Sequence, residues 1–277
     1  MSDHAEVTAL AREALMIPSP CGEGSMVWRS WGKGPPLVLL HGGYGAWTHW
    51  LRNIPTLARH YRVIAPDLPG LGDSATPPSP YGPESLGAIL AEGIDAVLPN
   101  NETFDLVGFS FGSMLGGPMA ASRGRQVRSF TLVGASALDL PRQGMLELKS
   151  VRRHMSETEI LALHRENLAL LMFADPQHID DLSVALQAAT VARARVRSRQ
   201  FARGDSLARV LPRVTARLAG IWGEFDATAY PFVEARRTFL RNLQPEAPFT
   251  IIKGAGHWVQ YEAHEEFNQA LLTILAR

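Results

Sequence analysis

Six times along this 277-residue chain an apolar run stops at a glycine-bearing turn: PPLVLLHGG, YRVIAPDLPG, FDLVGFS, RSFTLVGAS, ARLAGIWGEFD and PFTIIKGAGH. A short apolar run closed by turn residues is the pattern of a strand buried on both faces. Helix-like text separates most of these runs, and such alternation predicts an α/β protein with a mostly parallel sheet. SMVWRSWG alternates with period two and adds another strand. Residues 3 to 16, with Val7, Leu10, Ala11, Ala14 and Leu15 at helical spacing, predict a short leading helix that stops before Pro18. AWTHWLRNIPTLARH predicts a bridging helix, kinked or broken at Pro55.

The alternation lapses once. From Leu138 to Pro212 no strand–glycine unit occurs, only helical text such as MLELKSVRRHMSETEILALHRENLALLMF and DDLSVALQAATVARARVRSRQF. That length is too great for a plain connection. We therefore expect a core of residues 1–137 and 213–277 and a helical cap over 138–212. Ligands of open parallel sheets bind beyond the carboxyl ends of the strands, so an insertion leaving from that edge would roof the site.

Composition narrows the function classes. With 46% apolar residues, 19% charged and a formal net charge of zero, the chain has material for one large core. It has no overall attraction for nucleic acid or an anionic membrane. A small-molecule substrate is the expected partner, and a homodimer stays open. Cys21 is the only cysteine, which excludes an intrachain disulfide, and it has no base nearby in PSPCGEG. The opening residues lack a basic head and an apolar block, and no run reaches about 18 apolar residues, so a cytoplasmic location is expected.

Polar residues collect where the strands stop. Ser110 follows the third apolar run, Asp226 the fifth and His257 the sixth. A serine hydroxyl near neutral pH needs a base within hydrogen-bond reach, and that base needs an acid to fix its tautomer. Gly108 and Gly112 flank the serine, where a sharp strand-to-helix turn leaves no room for side chains. A phosphate-binding turn is the competing reading, but GFSFGS lacks the lysine and the glycine spacing it requires. Glu224 and Asp139 rival Asp226 as the acid. No histidine spacing suits a metal.

Five blocks in order, HGG at 41–43, DLPGLGDS at 67–74, GFSFG at 108–112, WGEFD at 222–226 and GAGHW at 254–258, resemble the α/β-hydrolase superfamily over nearly the whole chain. The resemblance implies an oxyanion hole made by the backbone N–H groups of Gly43 and Phe111. It also implies His41 as a brace for that loop, structural roles for Asp67 and Asp73, and no cofactor. His4, His49, His60, His154, His164, His178 and His264 read mostly as surface or packing residues. A serine at the elbow, where epoxide hydrolases and haloalkane dehalogenases carry aspartate, implies acyl chemistry.

GAGHWVQYE is similar to the GHW-Q-E stretch of the meta-cleavage product hydrolases, in which the tryptophan helps to shape the site; Trp258 is thus an expected pocket residue. HGGYGAW and GFSFGS depart from the loop and elbow of that group. A carboxylic-ester hydrolase therefore ranks first and a carbon–carbon hydrolase second, with a non-catalytic ligand binder behind them. In VARARVRSRQFARG a helix would set Arg193 with Arg197 and Arg195 with Arg199 in two stripes. Either the stripes form a solvated basic face, or one, taken as Arg193 and Arg197, turns inward to hold a substrate carboxylate.

Overall fold

The computed structural model describes residues 4–142, 144 and 146–277. Eight strands form one sheet: β1 (Leu15–Cys21), β2 (Gly24–Trp31), β3 (Pro36–Leu40), β4 (Arg62–Pro66), β5 (Phe104–Phe109), β6 (Val127–Val133), β7 (Arg217–Gly223) and β8 (Phe249–Ile252). Their spatial order is β1-β2-β4-β3-β5-β6-β7-β8. From β4 to β8 neighbours run parallel, while β2 is antiparallel to both β1 and β4. The helices are α1 (Ala5–Glu13), α2 (Ile54–Leu57), α3 (Pro83–Val97), α4 (Phe111–Arg123), α5 (Glu157–Leu171), α6 (Asp181–Ala192), α7 (Ser206–Val210), α8 (Val233–Leu243), α9 (Val259–Glu262) and α10 (His264–Leu275).

The doubly apolar strands explain the two-sided core. In β3, Val38 and Leu40 face one way and join Leu106 of β5 and Leu132 of β6 under α3 and α4, where Leu86, Leu90, Met114 and Leu115 meet them. Leu37 and Leu39 face the other way and join Val107, Phe109 and Ile221 against Trp50 and the α10 residues Phe267 and Leu271. Period-two alternation within a wholly apolar run supplies both layers.

Three expected elements differ. The leading helix ends at Glu13, and Leu15 and Met16 belong to β1, paired along its length with β2. Pro18 and Pro20 sit in that strand, which is tolerable because β1 is the sheet edge and its far side needs no donors. Residues 47–57 form a 3₁₀ turn, Trp47–Trp50, and the one-turn α2 with Pro55 near its start, rather than one kinked helix. Between β6 and β7 the first helix, α5, begins only at Glu157. There Ser156 Oγ accepts from the Glu159 N–H, and the Glu159 carboxylate accepts from the Ser156 N–H in return.

The arginine-rich tract corrects a fourth expectation. α6 ends at Ala192, so Arg193–Arg197 are not helical and form no stripes. Here the chain is captured by the DLPGLGDS loop. The Arg195 N–H donates to Gly70 O at 2.8 Å, its guanidinium donates to the carbonyls of Gly72 and Ser74, and Val196 is buried beneath. No described helix is long and apolar enough to cross a membrane.

Candidate active site

The carboxyl edge of the sheet carries the turn at the end of β5. Ser110 has φ 50° and ψ −108°, a conformation costly for a non-glycine residue, and α4 begins at the next residue. Its N–H is tied to Val133 O at 2.8 Å. The two glycines are required by close backbone approach. A β-carbon on Gly108 would lie 2.6 Å from Ser113 N, and one on Gly112 would lie 2.3 Å from Leu40 O. Ser110 therefore stands proud of the strand end with the amino end of α4 behind it, a position that favours developing negative charge.

His257 follows β8 through KGAG and is 3% exposed. Its Nδ1 lies 2.9 Å from both carboxylate oxygens of Asp226, which is fully buried in the turn after β7. Asp226 also accepts from the N–H and hydroxyl of Thr228, at 2.8 and 2.7 Å. Burial alone would raise its pKa, but the His257 ring and the Thr228 donors outweigh burial and hold the carboxyl below its ordinary value. An ionised acceptor at Nδ1 fixes the proton there and leaves the Nε2 lone pair free to accept one. Of the rival acids, Glu224 is drawn away to Lys253 Nζ (2.9 Å) and the Gly254 N–H, and Asp139 makes no hydrogen bond to the histidine.

The loop after β3 is held by two buried histidines. His41 Nδ1–H donates to Gly42 O at 2.7 Å, and its Nε2 accepts from the Leu68 N–H at 2.9 Å. Burial lowers its pKa to about 4, against the opposing pull of Asp67 and the Gly42 carbonyl, so the ring is neutral. His49, read as a surface or packing residue, is 3% exposed and accepts the Gly42 N–H at 3.2 Å. Burial, reinforced by His41 and His257, pushes its pKa well below the ordinary value. These contacts consume the Gly42 N–H. Among the described residues the N–H groups of Gly43 and Phe111 have no partner, which leaves both for a ligand oxygen.

A cavity of about 260 Å³ brings Ser110, His257, Gly43 and Phe111 together. Its roof comes from the stretch between β6 and β7, including Leu148, Leu171, Gln187 and Ser198. Arg142, Arg199 and Arg203 also line it, and none of the three is paired with a carboxylate among the described residues. The expected pocket residues lie elsewhere. Arg193 pairs with Asp73, which also holds Arg29, and Arg197 does not line the cavity, because the tract left its helix at Ala192. Trp258 is wholly buried behind the site. Its ring lies 4.9 Å from that of His49 and its Nε1–H donates to His49 O, so it backs the loop after β3 and is not among the residues that line the cavity.

Asp67 accepts from Arg29, the Trp47 N–H and the Asp73 N–H, a loop-organising role. Glu262, 1% exposed at its side chain, accepts N–H groups from Ala174, Asp175 and Gly256 and thereby fastens the histidine loop to the roof. Cys21 is buried against Ala75 O, away from the site, and burial raises its pKa.

Sheet order, elbow and cavity define an α/β-hydrolase fold. A family model for the alpha/beta hydrolase family matches residues 37–270, and the chain belongs to that family. Among curated relatives, the 2-hydroxy-6-oxo-2,4-heptadienoate hydrolase of Pseudomonas putida F1 is 44% identical over 108 residues, covering 38% of each chain. A 2-hydroxy-6-oxo-6-(2'-aminophenyl)hexa-2,4-dienoic acid hydrolase of Metapseudomonas resinovorans is 28% identical over 264 residues, covering 89% of this chain and 86% of that one. Among solved structures, a thermophilic esterase from Thermogutta terrifontis superposes with a TM-score of 0.72 at 23% identity, covering 95% of this chain and 98% of the other.

Proposed function

We propose that the protein is a serine hydrolase that cleaves a small carboxylic ester or related acyl compound through an acyl-Ser110 intermediate. The observation that carries the reading is the cavity lined by both Ser110, on its strained turn, and His257, held by Asp226 at 2.9 Å. In this mechanism His257 Nε2 takes the Ser110 proton as Oγ attacks the carbonyl carbon. The oxyanion sits between the Gly43 and Phe111 N–H groups. The leaving alkoxide departs with the proton from His257, and water, activated by the same ring, releases the acid. Arg142, Arg199 and Arg203, unpaired around the cavity, support an anionic group on the substrate and replace Arg193 and Arg197 in that role.

A second reading, hydrolysis of a carbon–carbon bond in a 2-hydroxy-6-oxo-dienoate, is favoured by the names of the two dienoate-hydrolase relatives. A purely binding role gives no reason for a strained serine beside a histidine–aspartate pair. Fluorophosphonate should label the wild-type protein and not Ser110→Ala; a folded wild type that resists labelling refutes the hydrolase reading. p-Nitrophenyl esters of graded length, run beside a dienoate, decide the bond cleaved. A specificity constant for the dienoate far above that of every ester makes the second reading the correct one.

A further inference from the structure

Ser198 opens a 3₁₀ turn, Ser198–Phe201, on the roof and is 3% exposed. Its Oγ is buried and has no hydrogen-bond partner among the described residues, although Ser198 lines the cavity. A buried hydroxyl left unmatched loses its hydration without compensation, so most such groups in folded proteins are paired. The placement is specific. A β-carbon added to Gly43 would meet Ser198 Oγ at 2.3 Å, and Phe201, three residues on, stacks on the Phe111 ring with centroids 6.4 Å apart. The turn is thus seated on the two residues whose N–H groups are free.

We propose that Ser198 supplies a third hydrogen bond to the oxyanion, its hydroxyl donating to the substrate oxygen held by the Gly43 and Phe111 N–H groups. The inference rests on the serine-hydrolase reading. A hydroxyl aimed where charge develops is most useful when it has no competing partner in the resting protein, because nothing must be broken as the tetrahedral intermediate forms. The roof then contributes to the chemical step as well as to the shape of the pocket. The orphan hydroxyl is also a small stability cost accepted in the free protein.

The test compares wild type with Ser198→Ala, using a fluorophosphonate, whose phosphoryl oxygen occupies the same hole, and p-nitrophenyl acetate. The expected result is a loss of about 10- to 100-fold in the labelling rate constant and in kcat, with KM within about twofold. The thermal midpoint should stay the same or rise, since the substitution deletes an unsatisfied buried group. Unchanged labelling and kcat overturn the proposal. So does a rise in KM alone, which would assign the hydroxyl to ground-state binding, or a lowered thermal midpoint, which would make it structural. A wild type that is not labelled at all overturns the hydrolase reading and this inference with it.

Discussion

At the scale of single residues, the loop after β3 rests on two histidines, His41 and His49, whose rings burial keeps from taking up a proton. His41 is neutral because its pKa is about 4 against an ordinary 6.5, with burial as the leading cause. In the unfolded chain the same ring takes up a proton near pH 6.5, so between 6.5 and about 4 the unfolded state binds more protons than the folded one. Its contribution is complete above pH 6.5 and is lost as the pH falls through that window, at up to about 1.4 kcal/mol per pH unit. Urea unfolding at pH 7, 6 and 5 should show His41→Gln with a lower stability at pH 7 but a flatter pH dependence; parallel slopes would remove this explanation. Ser110, Asp226 and His257 were readable in the sequence because each ends an apolar run, and a strand end is where such chemistry is exposed. His49 and Ser198 were not, since WTHW and VRSRQF carry no local signal for a site formed by chain distant in sequence.

Elements show the same division between local and tertiary causes. α5 begins where Ser156 and Glu159 form their reciprocal cap, a signal present in the text SETE though the helical periodicity upstream obscured it. β1 hid behind its prolines, because only its place at the sheet edge makes them acceptable. Residues 193–197 look helical in isolation, yet the carbonyls of Gly70, Gly72 and Ser74 recruit Arg195 and the tract unwinds. α9 gives a prediction at this scale. Its Glu262 receives N–H groups from Ala174, Asp175 and Gly256, and Glu262→Gln would turn an amide N–H₂ toward at least one of them. Urea denaturation should report a loss of about 2–4 kcal/mol. Turnover should fall as well, because the histidine loop loses its anchor; full activity at reduced stability would show that the loop is held by other contacts.

For the whole molecule, a formal net charge of zero means that long-range attraction of a charged substrate is weak, whereas Arg142, Arg199 and Arg203 create a local positive field at the cavity. For a carboxylate-bearing ester, kcat/KM should decline as ionic strength rises from 0.01 M toward about 0.5 M, as the screening length shrinks to a few ångströms. It should hardly change for a neutral ester of equal length. Replacing the three arginines with alanine should abolish that difference, and salt sensitivity that survives would place the anion elsewhere. The joint made by Glu262 has a further consequence. With residues 174–175 riveted to the histidine loop and Arg195 moored to the carbonyls beyond β4, the roof is clamped along two of its margins. Leu146, Leu148, Arg199 and Arg203 line the cavity without taking part in either tie.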